Sequence, residues 1–267
     1  MMRLKLSIVY YLNSLPLAWG FLHGDQRSLF DLDFSPPSRC ADLLAAGSVD
    51  IGLIPSIEYQ RIQGVRVIPG LSIAAKQEVE SVLLISKVPA EEIRTLALDQ
   101  SSRTSIILLR LLLALKFKSQ PVFYGSPPDP DAMLASFDAA LIIGDTALKA
   151  GWNFPYQYDL AQEWKELTGK PFVFAFWGVR SGIVAADPKV FQQSLEYGLT
   201  HLDEIARQQA QALKLPEDRL RHYLTKNINY TLDQENIEGL QLFYQLTAET
   251  LGISCSRPLE FLAQAAI

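Results

Sequence analysis

Residues 96–115 read LALDQSSRTSIILLRLLLAL: a short apolar run, a polar turn, then an apolar block too long for a strand. This order predicts a buried strand ending at Asp99, a core helix through Ile106 and beyond, and a junction made of Ser101, Ser102, Arg103, Thr104 and Ser105. Hydroxyls at a helix start can cap its orphan amides or, together with those amides, face a bound carboxylate or phosphate. Capping alone would explain an isolated cluster, so the neighbouring stretches have to decide between the two readings.

They repeat the pattern. Residues 5–9 read as a buried strand running into YYLNSLP before a helix near Leu17, which puts Asn13 at a strand's carboxyl end. Ligands of open α/β sheets bind along that edge, so Asn13 is either a turn-former or a ligand contact. Residues 31–34 form a second strand, Ser38 caps a helix that stops at Gly47, residues 49–54 form another strand, and Ser56 caps a short helix after Pro55. Residues 79–86 are extended, with Ser81 near their start. Residues 139–143 form a strand ending in Gly144-Asp145-Thr146, where glycine allows close backbone approach and Thr146 can cap the next helix.

Residues 158–168 read as a helix and 172–179 as an aromatic-rich strand, whose stripe suits a core. Asp187 and Pro188 open one long helix with Phe191, Leu195, Leu199, Leu202 and Ala206 on one face, Asp233 caps a last helix, and no strand is expected after Val179. The expected architecture is α/β: two lobes, a central cleft and two crossover segments, near Ser86 and near Arg180. One lobe then comprises residues 1–86 plus 180–267 and the other residues 87–179. Asn13, Ser56 and Ser81 would face the 101–105 turn and the Gly144-Asp145 loop across the cleft.

A net charge of −5, with basic residues scattered along the chain, offers no basic stripe and argues against a nucleic-acid partner. Cys40 and Cys255 stand far apart and outside any CxxC pattern, against a zinc site or a disulfide framework. The most apolar segment, residues 106–117, is broken by Arg110 and Lys116 and is shorter than a bilayer span. The N-terminal apolar run is too short for a signal h-region, so a cytoplasmic protein with no membrane partner is expected. His23, His201 and His222 fall outside the candidate ligand loops, which leaves a small molecule as the expected ligand and no histidine to act on it.

Seven ordered blocks, YLNSLPL, CADLLAAGSVDIGLIPSIEY, SVLLIS, LALDQSSRTSIILLRLLL, DAALIIGDTAL, YDLAQEWKELTGKPFVFAFW and GLQLFY, resemble the chorismate dehydratases of the futalosine route to menaquinone over nearly the whole chain. The resemblance implies the type II periplasmic-binding-protein-like fold. It also implies a lyase that converts chorismate to 3-[(1-carboxyvinyl)oxy]benzoate and water without metal or organic cofactor; a monomer or homodimer is expected. The sequence departs from the family at Lys76-Gln77-Glu78, where a glycine-containing turn is expected.

On this resemblance Ser102, Thr104, Ser105 and the adjacent helix amides bind one substrate carboxylate with the Gly144 loop, while Ser81 and Ser56 contribute from the other lobe. Arg103 either pairs with a carboxylate or is held internally, with Asp99 as its partner. Asn13 is the first candidate for the chemistry. Since an amide is a poor base, the C3 proton goes either to the substrate's own side-chain carboxylate, positioned by Asn13, or to Asp145. The rival readings are a solute-binding protein for a small organic anion and the sister dihydroxynaphthoate synthase, whose family uses a histidine that has no match here.

Overall fold

The computed structural model describes residues 3–150, 154–183 and 186–263. Five strands come first: β1 (Leu4–Val9), β2 (Phe30–Ser35), β3 (Ile51–Pro55), β4 (Arg66–Val67) and β5 (Gly70–Ala75). Five more follow, β6 (Val82–Ser86), β7 (Thr95–Asp99), β8 (Val122–Ser126), β9 (Ala139–Ile143) and β10 (Tyr156–Asp159), and then β11 (Phe172–Val179) and β12 (Asn229–Leu232). The first five and the last two form one sheet, in the order β12-β5-β11-β3-β1-β2 with β4 on β11; the middle five form a second, in the order β10-β6-β9-β7-β8. Each sheet is mixed. β1 runs parallel to β2 and β3, and β7 parallel to β8 and β9, while β11 and β6 are antiparallel to their neighbours.

Two lobes are therefore present, but the crossovers lie elsewhere than the sequence reading put them. The chain leaves the first sheet between β5 and β6 and returns between β10 and β11. The segment 82–86, assigned to the first lobe, pairs with β9 (Val82 opposite Ile143) and with β10 in the second. The strand at 172–179, assigned to the second lobe, sits between β3 and β5 in the first. Every residue of β6 is buried, as are seven of the eight in β11, so neither strand carries a polar–apolar alternation that would name its sheet.

The helices are α1 (Leu15–His23), α2 (Pro37–Ala45), α3 (Glu58–Arg61), α4 (Thr104–Leu112), α5 (Pro130–Ser136), α6 (Gly144–Ala150), α7 (Leu160–Thr168), α8 (Pro188–Thr200), α9 (Leu202–Leu213), α10 (Glu217–His222) and α11 (Gln234–Leu251). Asp187 and Asp233 cap α8 and α11 through Lys189 and Asn236 amides, and Gly252 ends α11 in the left-handed region, as their residue types dictate. Other caps differ. Pro36 takes the N-cap position of α2, and the Ser38 amide instead donates to the Ser101 carbonyl across the lobes. The single long helix after Asp187 is broken at His201 into α8 and α9. Thr146 lies inside α6, which starts at Gly144.

β12 was not expected. Its four residues, NYTL, are too short and too polar to stand out between helices, yet they extend the first sheet along β5. One apolar cluster runs through both lobes, drawing Trp164, Phe172, Trp177 and Phe243 together with Leu84, Leu96 and Leu108. α11 packs on both β11 and α4, so the lobes meet over an apolar contact as well as across the cleft. Among the described residues no helix is long and apolar enough to cross a membrane.

Candidate functional site

The cleft between the lobes holds an empty space of ≈ 520 Å³, part of it open to solvent. Its polar lining is Tyr11, Asn13 and Ser14 after β1, Ser81 before β6, and Ser102, Thr104 and Ser105 at the start of α4. Gly144, Phe174, Ile73 and other apolar residues complete it. Among the described lining residues there are hydroxyls and one amide but no charged side chain. No histidine lines it: His23 stacks on Trp19, and His201 bonds the Tyr197 carbonyl.

The 101–105 turn is folded by Asp99. Its Oδ1 accepts from the Ser101 amide at 2.9 Å and the Ser101 hydroxyl at 2.7 Å, which leaves the Ser101 oxygen to meet the Tyr11 hydroxyl at 3.2 Å. Burial pushes the Asp99 carboxyl upward, against those two hydrogen bonds. Arg103 then occupies the N-cap position of α4, and no side chain caps the helix. The first-turn amides are thus left for the cleft, with Thr104 and Ser105 beside them.

Asn13 sits in a 3-10 turn, Leu12–Ser14, and its Oδ1 accepts from the Ser14 hydroxyl at 3.2 Å. Ser81 stands at the crossover. Its carbonyl accepts from the Gly144 amide at 2.7 Å, and its hydroxyl receives that of Tyr223 at 2.8 Å. Gly144 has φ +59, and a Cβ there would lie 2.8 Å from two carbons of the Tyr11 ring, so glycine is required by both conformation and space. The Lys76-Gln77-Glu78 turn is built without a glycine. The left-handed residue is Glu80, φ 58, and Lys76 pairs with Asp233 and Glu235.

Three expected site residues do not line the cleft. Ser56 is fully buried, donates to the Val173 carbonyl at 2.8 Å and lies 3.4 Å from the Thr104 hydroxyl, so it neither caps α3 nor faces a ligand. Arg103 points back to the first lobe, where Glu58 at 2.8 Å and Asp42 at 2.6 Å hold it; Asp99 is not its partner. Asp145 accepts from the Leu12 amide at 3.0 Å, tying α6 to the Asn13 turn, and burial raises its carboxyl above the usual 3.8. A carboxylate spent on a backbone amide outside the lining supports the turn rather than a ligand.

Thr104 has two roles. It lines the cleft, and its hydroxyl accepts from the Ile57 amide at 3.2 Å, joining α4 to the first lobe. Tyr11 and Phe174 were missed as site residues. Tyr11 had a signal, since it shares a strand's carboxyl end with Asn13; Phe174 belongs to a stripe that reads as core, and only β11's position between β3 and β5 turns it to the cleft.

A family model described as menaquinone biosynthesis matches residues 4–249. A chorismate dehydratase of Thermus thermophilus is 31% identical over 239 residues, spanning 81% of this chain and 85% of that one. The chain belongs to the chorismate dehydratase family. A further family member, a chorismate dehydratase of Campylobacter jejuni, is 30% identical over 171 residues, 64% of this chain and 60% of its own. Solved structures extend the likeness at the level of fold. A protein of Archaeoglobus fulgidus superposes with a TM-score of 0.77 at 15% identity, covering 94% of this chain and 98% of that one. The periplasmic aliphatic sulphonate binding protein SsuA of Escherichia coli gives 0.62 at 16% identity, covering 99% and 95%. The family's expected periplasmic-binding-protein-like fold is the one observed.

Proposed function

We propose that this protein dehydrates chorismate to 3-[(1-carboxyvinyl)oxy]benzoate, acting as a carbon–oxygen lyase in menaquinone biosynthesis. The observation that carries the reading, in a chain of this family, is the uncharged cleft at the uncapped start of α4. Chorismate is a dianion, and such a cleft can hold carboxylates with helix amides and hydroxyls instead of a cation. Thr104, Ser105, Ser102 and the first-turn amides of α4 bind one carboxylate, while Asn13 from across the cleft and Ser81 at the crossover serve the other.

The reaction needs little beyond position. The C3–H bond is acidified by conjugation to the ring carboxylate; its electron pair becomes the new ring double bond as the C4–oxygen bond breaks. The proton from C3 and the hydroxyl from C4 leave together as water, and aromatisation drives the step. Asp145 lies outside the cleft lining with its carboxylate on the Leu12 amide, which favours the substrate's own enolpyruvyl carboxylate, oriented by Asn13, as the base.

The test is to incubate purified protein with chorismate and follow products by liquid chromatography and mass spectrometry, with Asn13→Ala alongside. A product lighter by one water that fades with the variant supports the reading. Chorismate bound but returned unchanged would make this a binding protein instead.

A further inference from the structure

Tyr223 lies outside the lining of the cleft, in the helical return that carries packing helices, and is the first residue of a π-helical turn, Tyr223–Asn227. Such turns recur at functional sites. Its side chain is buried to 1% exposure, and its hydroxyl donates to Ser81 Oγ at 2.8 Å. The direction of that bond matters. A serine hydroxyl has one proton and two acceptor positions. With its oxygen receiving the Tyr223 proton, Ser81 keeps its own proton to give, and Ser81 lines the cleft. Were the bond reversed, Ser81 would turn lone pairs toward the ligand and repel a carboxylate.

We propose that Tyr223 is a positioning residue that fixes Ser81 as a hydrogen-bond donor to a substrate carboxylate. This deepens the proposed function and rests on it. Burial pushes the Tyr223 phenol far above its usual 10.0, so the group stays protonated and remains the donor at every working pH. The Asn13 side chain is a hydrogen-bonding neighbour of the same phenol, and its Oδ1 is already engaged by Ser14. With the phenol proton on Ser81, the Asn13 NH2 meets the phenol oxygen with one N–H and keeps the other for a ligand, so both neighbours of Tyr223 offer donors.

Tyr223→Phe removes the phenol oxygen and its proton while keeping the ring. The expected result is a rise in KM for chorismate of about tenfold, the order of one hydrogen bond to a charged group, with kcat changed less than about twofold. In a Ser81→Ala background the same substitution should raise KM less than about twofold, because its route to the ligand is gone. An unchanged KM for Tyr223→Phe, or an equal rise in both backgrounds, overturns the proposal, even if the melting temperature falls. Should the phenylalanine variant not fold, Ser81→Ala still bears on the proposal: an unchanged KM overturns it, because Tyr223 would then have no donor to fix. A wild type that does not convert chorismate removes the reading beneath it, whereas wild-type turnover indifferent to Tyr223→Phe overturns the role of Tyr223 alone.

Discussion

Gly144→Ala tests how the cleft is held at its tightest point. The residue has φ +59, and its added Cβ would lie 2.8, 2.8 and 2.9 Å from three carbons of the Tyr11 ring. Left-handed backbone costs an alanine about 1 kcal/mol. Carbon atoms prefer about 3.5–4 Å, so the ring has to shift by about 1 Å. That shift breaks the 3.2 Å contact between Tyr11 and Ser101, whose loss is about 1 kcal/mol. The expected destabilisation is about 2–3 kcal/mol, a fall in Tm of about 5–10 °C for a chain of this size. Because Tyr11 lines the cleft, kcat/KM for chorismate should fall as well. Thermal melts monitored by circular dichroism, paired with the chorismate assay, measure both. In a Tyr11→Ala background the substitution should cost only the backbone strain, about 1 kcal/mol. A Tm within about 1 °C of wild type, or the same loss in both backgrounds, would refute the argument from overlap.

Asp145→Asn should retain turnover, since an amide oxygen still accepts from Leu12, whereas Asp145→Ala should lose it; loss in the asparagine variant at unchanged affinity would make Asp145 the base after all. The raised carboxyl of Asp145 means that the native state holds its proton to higher pH than the unfolded chain, so this group's contribution lowers stability as pH rises above 3.8; in urea titrations across pH, Asp145→Asn should flatten that slope. Asp159 accepts from the amides of Val79 at 2.9 Å, Glu80 at 2.6 Å, Ala161 at 3.0 Å and Gln162 at 3.2 Å. Asp159→Ala strips the crossover and the α7 cap together and should cost about 3 kcal/mol or more by urea denaturation; a loss below about 1 kcal/mol would contradict it. Arg103→Ala should cost about 2 kcal/mol by leaving buried Glu58 with Arg61 alone, and a larger effect on KM than on stability would return Arg103 to the ligand.

Most strands and helices were legible because local chemistry writes them; β10, whose Tyr158 and Asp159 read as the start of a helix, and β12 were not. Leu96, Ala97 and Leu98 had to be strand, the hydroxyl run had to begin a helix, and Asp187, Asp233 and Gly252 punctuated helices in the usual way. Where neighbours compete, the local signal gave way. Ser38 and Ser56 look like caps, but Pro36 already fixes the entry to α2, and a buried Ser56 spends its proton on Val173, remote in sequence. NYTL becomes a strand only because β5 offers it an edge.

The cleft divides in the same way. Sequence alone determined that strand ends carry Asn13, Ser81, the 101–105 turn and Gly144, and these do meet, since each is bound to a sheet's edge by its own few residues. Which sheet each strand joins, and so where the crossovers fall, was decided only in three dimensions, because uniformly buried strands such as β6 and β11 carry no mark of their partner. The aim of single side chains was decided there too. Arg103 and Asp145 sit beside the cleft in sequence and turn away from it, held by Glu58, Asp42 and the Leu12 amide, while Tyr223 reaches Ser81 across 142 residues. A hydrogen bond is set by where its two ends arrive in space, and that depends on how the whole chain packs.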